Sequence, residues 1–134
     1  MIITVSGPHG TGKSTYAAHL AGELGLRHIS AGLLFRKLAK ERQMSLAEFG
    51  QLALKDPDID RLVDKETMEE AEKGDVVVDG LLAGWVLKEV ADLRIYLTAP
   101  DNVRLERIAK RDNITAEEAR KHTLHRESVQ SERY

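Results

Sequence analysis

The stretch Ile2-Ile3-Thr4-Val5-Ser6-Gly7-Pro8-His9-Gly10-Thr11-Gly12-Lys13-Ser14-Thr15 decides the fold. A short apolar run leads into a Gly-rich turn, and the turn opens into helix-forming sequence. Positions 7–14 match G-x-x-x-x-G-K-[ST], and a strand before with a helix after is the context that makes such a match a phosphate-binding loop. Glycines at 7, 10 and 12 let the main chain turn tightly and approach phosphate oxygens with no Cβ in the way. The loop amides and the positive end of the following helix then form a nest for a β-phosphate. In that arrangement Lys13 reaches the β and γ oxygens, and the Ser14 hydroxyl ligates Mg²⁺. The expected ligand is ATP or a similar triphosphate, held by Gly7, Pro8, His9, Gly10, Thr11, Gly12, Lys13, Ser14 and Thr15.

Beyond the loop, Ala17, Leu20, Ala21 and Leu24 recur at helical spacing, and Gly25 stands where a helix ends. Residues 26–30 read as a second strand. A helix over 33–43 carries a stripe of Leu34, Phe35, Leu38 and Ala39. Ser45 and Glu48 form a capping box opening a third helix, and Asp56-Pro57 supplies a cap and an N1 proline for a fourth. Residues 76–80, Val-Val-Val-Asp-Gly, do not alternate, as expected of a parallel strand buried on both faces. Leu93, Ile95 and Leu97 alternate with polar neighbours in a fourth strand. A helix over 101–111 follows. Thr115 and Glu118 open a last helix whose apolar stripe is thin (Ala119, Leu124, Val129), which suits a cover better than a core element. Strands alternating with helices predict an α/β fold, a parallel sheet with helices on both faces.

The chain's 134 residues and 42% hydrophobic content suit one domain with a core. Lys and Arg number 20 against 22 Asp and Glu, a net charge of −2 that argues against a nucleic-acid binder. No apolar run is long enough to span a bilayer, and no signal-peptide pattern precedes the first strand, so a soluble cytoplasmic protein is expected. Without cysteines there are no thiolate metal sites.

Asp79, closing an apolar strand, is the carboxylate expected beside the magnesium. Ser30-Ala31-Gly32 leads into a helix bearing Arg36 one turn in, which makes a second anion site suited to an acceptor phosphate. Arg104, Arg107 and Arg111 fall at i, i+3 and i+7, so one helix face can carry all three. Arg126 and Arg133 lie two turns apart on the last helix. The ordinary fate of such arginines is exposure beside Glu106, Glu127 or Glu132. On a thinly packed element they can instead close over reacting phosphates and exclude water. Asp60 and Asp64, one turn apart, read as solvated carboxylates or as readers of a base edge. Trp85 lines an acceptor pocket or packs in the core. The histidines show no metal-ligand grouping. A GTPase reading lacks its base-reading motif, since Ala109-Lys110-Arg111-Asp112 has no Asn.

These stretches together resemble the archaeal-type cytidylate kinases, within the nucleoside monophosphate kinase branch of P-loop proteins. The loop, Ser30-Ala31-Gly32 with Phe35-Arg36, and Met44-Ser45-Leu46-Ala47-Glu48-Phe49-Gly50 carry the resemblance. So do Ile59-Asp60, Val77-Val78-Asp79-Gly80, Leu82-Ala83-Gly84-Trp85 and Arg126-Glu127-Ser128 through Arg133-Tyr134. The resemblance implies transfer of the γ-phosphate of ATP to CMP or dCMP with Mg²⁺. It places the monophosphate on Ser30, Gly32, Arg36, Asp79 and Gly80, and ATP on the loop with Arg107 and Arg111. Lys13, Arg126 and Arg133 become the catalytic cations. The three-layer P-loop kinase fold is implied over 1–134, with acceptor-binding helices in about 31–74 and a lid in about 101–134. Two places depart from the family habit: Leu81 stands where Arg usually follows the Asp-Gly pair, and Glu66-Thr67 where Arg-Gln is common. The family also continues into a further strand past the Tyr134 position, so a sheet lacking that last edge strand is expected. A monomer with an open edge available for self-association follows. Two alternatives remain beside this one: the same chemistry on another monophosphate or small metabolite, and a nucleotide-binding module without catalysis.

Overall fold

A computed structural model describes residues 1–131. Four parallel strands form one sheet in the order β2-β3-β1-β4: β1 (Ile2–Ser6), β2 (Arg27–Ser30), β3 (Val76–Asp79) and β4 (Leu93–Tyr96). Helix α1 (Lys13–Leu24) links β1 to β2, and α2 (Ala31–Glu41), α3 (Leu46–Lys55) and α4 (Pro57–Glu72) link β2 to β3. A single turn, α5 (Ala83–Val86), precedes β4, and α6 (Asp101–Asp112) and α7 (Ala116–Ser131) follow it. The α/β sheet with helices on both faces is therefore as expected, and α5 is an element the sequence pattern did not announce.

Strand β3 is buried at every residue because β1 and β2 pair with its two edges while helices cover its two faces. Ile3, Val5 and Val77 pack on Ala17 and Ala21 of α1. Val76 and Val78 pack on the opposite side against Ala71 of α4, Ala83 of α5 and Leu87. From β1 the chain crosses to β2, leaving between them the place that β3 fills. From β3 it crosses to β4 on the far side of β1. The strand order thus reverses direction around β1 and β3, and their carboxyl ends open the crevice where ligands of such sheets bind.

The expected alternation of β4 holds at Ile95 and Leu97, which pack on the core of β1 and α1, and fails at Leu93. Among the described residues the strand pairs with β1 alone, and Leu93 and Tyr96 are more than half exposed (51% and 54%). Trp85 is not in the core and does not line the large cavity that includes Arg36. It is exposed and meets Tyr96 edge to face, with ring centroids 6.1 Å apart. Among the described residues no helix is long and apolar enough to cross a membrane.

Helices α2, α3 and α4 carry a small core of their own, in which Phe35, Ala39, Phe49, Ala53, Ile59 and Val63 meet. Their starts are fixed locally. The Ser30 side chain accepts from Leu33 N, Ser45 and Glu48 complete the predicted capping box, and Asp56 accepts from Asp58 N ahead of Pro57. Phe49 is fully buried, its ring 4.7 Å from that of Phe35. Phe49→Ala is expected to lower unfolding free energy by about 3–5 kcal/mol, because the cavity cannot collapse between three short helices; urea denaturation measures this.

Candidate functional site

Two glycines of the loop are required by the protein's own backbone before any ligand is considered. A Cβ on Gly7 (φ +142°) would lie 2.1 Å from the Leu97 carbonyl oxygen, and one on Gly10 (φ +79°) 2.5 Å from that of Arg104. The loop is thereby wedged between β4 and α6. Gly12 (φ +89°) is left-handed too, but a Cβ there would find nothing nearer than an Arg107 guanidinium nitrogen at 3.9 Å. It is the glycine beside open space, at the start of α1.

Lys13 follows it and is buried to all but 8% of its surface. Its ammonium donates to the Pro8 carbonyl at 2.9 Å, folded back over its own loop. Burial pushes its pKa down from the usual lysine range to about 8, with Asp79 and Glu127 pulling the other way. Ser14, one residue on, donates to Asp79 Oδ1 at 3.0 Å, and Ser30 donates to the same oxygen at 2.9 Å. The predicted pairing of Ser14 with Asp79 is thus met in space. The pattern of residue types did not single out His28, whose Nε2 lies 2.5 Å from Asp79 Oδ2. The clue was its position two residues before Ser30 on one strand, which puts both side chains on the same face.

Across the crevice lies α2. A cavity of about 360 Å³ is lined by His9 of the loop, Gly32 and Arg36 of α2, Gly80 and Leu81 after β3, and Arg126 of α7, among others. His9 of the loop and the start of α2 therefore face one space. Arg36 donates to Asp112 Oδ1 at 2.7 Å, and Arg111 donates to the same oxygen at 3.1 Å. Burial opposes ionisation of Asp112, but the hydrogen bonds from Arg111 and Arg36 hold its carboxyl below the usual range. Gly80 passes so close to α2 that a Cβ would stand 2.9 Å from that of Ala31.

On α6, Arg104 and Arg107 both reach loop carbonyls, as a shared helix face allows. Their burial differs: Arg104 is buried, whereas Arg107 and Arg111 are exposed. Arg104 donates to the His9 carbonyl at 2.8 Å and to Glu127 at 3.0 Å, and Glu127 in turn accepts from His9 N at 2.6 Å. This arginine and glutamate are struts that bind α6 and α7 to the loop. Neither role was readable, since their positions are separated by 23 residues and answer a main-chain group 118 residues away from Glu127. Arg107 donates to the Gly10 carbonyl at 3.4 Å and so flanks the loop. Arg126 pairs with Asp60 at 3.0 Å and lies over the Phe35 ring, 4.2 Å from its centre. Asp60, 9% exposed, is therefore no solvated carboxylate. Asp64 lines the cavity. Arg133 lies outside the described residues.

Comparison with known proteins places this geometry in a family. The model of an AAA domain matches residues 3–133. A cytidylate kinase of Ignicoccus hospitalis is 53% identical over 96% of this chain and 75% of its own length. Another, from Staphylothermus marinus, is 47% identical over 100% of this chain and 76% of its own. Among solved structures, shikimate kinase from Bacteroides thetaiotaomicron superposes with a TM-score of 0.67 over 98% of this chain and 79% of that one, at 16% identity. That likeness is one of fold.

The buried ammonium generates a pH prediction. A polyphosphate needs Lys13 charged, yet above pH about 8 the unliganded group is increasingly neutral. Triphosphate affinity should be level below that value and fall as pH rises through it, by roughly tenfold per unit, with close to one proton taken up on binding at about pH 9. Calorimetry in two buffers of different ionisation heat reads the proton uptake directly. Lys13→Met should abolish both the uptake and the slope.

Proposed function

The chain belongs to the cytidylate kinase family, and from that premise we propose that it moves the γ-phosphate of ATP to CMP or dCMP, giving ADP and CDP or dCDP. The observation that carries this is the common cavity: His9 of the phosphate loop and the α2 N-terminus with Arg36 line one half-open space. Phosphoryl transfer asks mainly for in-line positioning and neutralised charge, and two anion sites across a single crevice supply both.

On the donor side, the amides of residues 10–15 cradle the β-phosphate, and Lys13 swings from the Pro8 carbonyl to the β and γ oxygens. Arg107, already against the loop, covers the base side of ATP, and Arg111 meets its phosphates. The Ser14 hydroxyl and the Asp79 carboxylate are hard oxygen donors 3.0 Å apart, a set that suits Mg²⁺. A metal ion held by these two side chains would supply positive charge to offset that of the phosphates. On the acceptor side, Ser30, Gly32, Gly80 and Arg36 take the monophosphate, with the start of α2 directed at it. Arg36 must exchange Asp112 for phosphate, and a phosphate dianion is the stronger partner for a guanidinium than a single carboxylate. Arg126, held by Asp60 at the cavity wall, and Arg133 supply positive charge between donor and acceptor. With these side chains in place water is kept from the γ-phosphate, and the acceptor oxygen becomes its nearest nucleophile.

An assay of ATP, Mg²⁺ and a panel of nucleoside monophosphates tests the assignment. CMP or dCMP should be the preferred acceptor, and absence of transfer to any monophosphate would overturn it. Lys13→Ala should lower kcat by about 100-fold or more, as loss of a charge-stabilising donor does. Arg36→Ala should raise the KM for CMP by about 10- to 100-fold, as loss of a charge-assisted hydrogen bond does, while the KM for ATP stays within about twofold.

A further inference from the structure

Asp79 has two oxygens and two different obligations. Oδ1 accepts from the hydroxyls of Ser14 and Ser30, at 3.0 and 2.9 Å. Oδ2 turns the other way and meets His28 Nε2 at 2.5 Å. An ionised carboxylate can only accept, so Nε2 carries the proton and donates. The Asp79 side chain is 3% exposed and the His28 side chain 21%. Among the described hydrogen bonds, His28 supplies the single donor to Oδ2. The strand register explains the geometry: Ser30 pairs with Asp79 and His28 with Val77, so the ring lies one pleat behind the serine and approaches the carboxylate from the back.

We propose that His28 is a positioning residue for the metal site, holding the Asp79 carboxylate so that Oδ1 stays directed at Ser14. Without this donor Oδ2 is a buried charge with no partner, and the carboxylate rotates about its Cβ–Cγ bond to share Ser14 and Ser30 between both oxygens. The Ser14 hydroxyl is then no longer aimed by one fixed acceptor. Ring-to-carboxylate contacts of this kind around metal ligands typically support affinity by about 10- to 100-fold. The inference rests on the assignment of Ser14 and Asp79 to the magnesium, and the experiment separates the two.

Binding of Mn²⁺ to the ADP-loaded protein, followed by electron paramagnetic resonance, is compared for wild type, His28→Ala, His28→Gln and Asp79→Asn. ADP affinity in EDTA is measured beside it. The glutamine amide can place an N–H near the position of Nε2. His28→Ala should weaken Mn²⁺ by about tenfold or more with metal-free ADP affinity unchanged, and His28→Gln should restore most of the loss. In turnover, His28→Ala should raise the Mg²⁺ concentration needed for half-maximal rate more than it lowers kcat at saturating metal. Wild-type Mn²⁺ affinity in His28→Ala, or a glutamine variant as weak as alanine, overturns the positioning role. Unchanged Mn²⁺ binding in Asp79→Asn overturns the metal assignment itself. Should the alanine variant not fold, His28→Met against His28→Gln makes the same comparison at similar volume.

Discussion

A carboxylate with 2% of its surface exposed must be answered on both oxygens, or its burial costs several kcal/mol. Asp79 meets that demand with three residues from two elements: Ser14 from the first turn of α1, and Ser30 and His28 from the end and the middle of β2. The end of the central strand, the helix that follows the phosphate loop and the entry to α2 are therefore tied to one carboxylate. Ser30 also caps α2 through Leu33 N, so the same hydroxyl aligns α2 with α1. The crevice is a consequence of this knot as much as of the sheet's strand order.

Around it, the cations at the crevice are already engaged by carboxylates or carbonyls. Arg36 and Arg111 share Asp112, Arg126 has Asp60, and Lys13 has the Pro8 carbonyl. Interleaving the three arginines of the cavity wall with carboxylates offsets the repulsion that like charges in a half-buried space would otherwise feel.

Local chemistry was legible in the sequence and distant pairing was not. The loop, the Ser45–Glu48 box, the Asp56-Pro57 start and the triple-valine strand depend on neighbours within a few residues, and all four stand as the pattern implies. Asp60 and Arg126 lie 66 residues apart, and nothing near Asp60 distinguishes it from the exposed Asp58. Arg104 and Arg107 look alike on a helical wheel, yet only the packing of α7 decides which is buried. Trp85 and Leu93 misled for the opposite reason: large apolar residues imply burial, but both are exposed beside β4, which among the described residues pairs with β1 alone.

Arg126 and Glu127 are adjacent on α7 and leave the helix about 100° apart, so one reaches α4 while the other grips the loop. A helix pinned this way is held by two neighbours at once, α4 and the loop. Torque applied at either contact is transmitted through a single residue step to the other. Widening the crevice on one side therefore obliges α7 either to drag α4 or to tug on His9, and the two halves of the molecule are geared together.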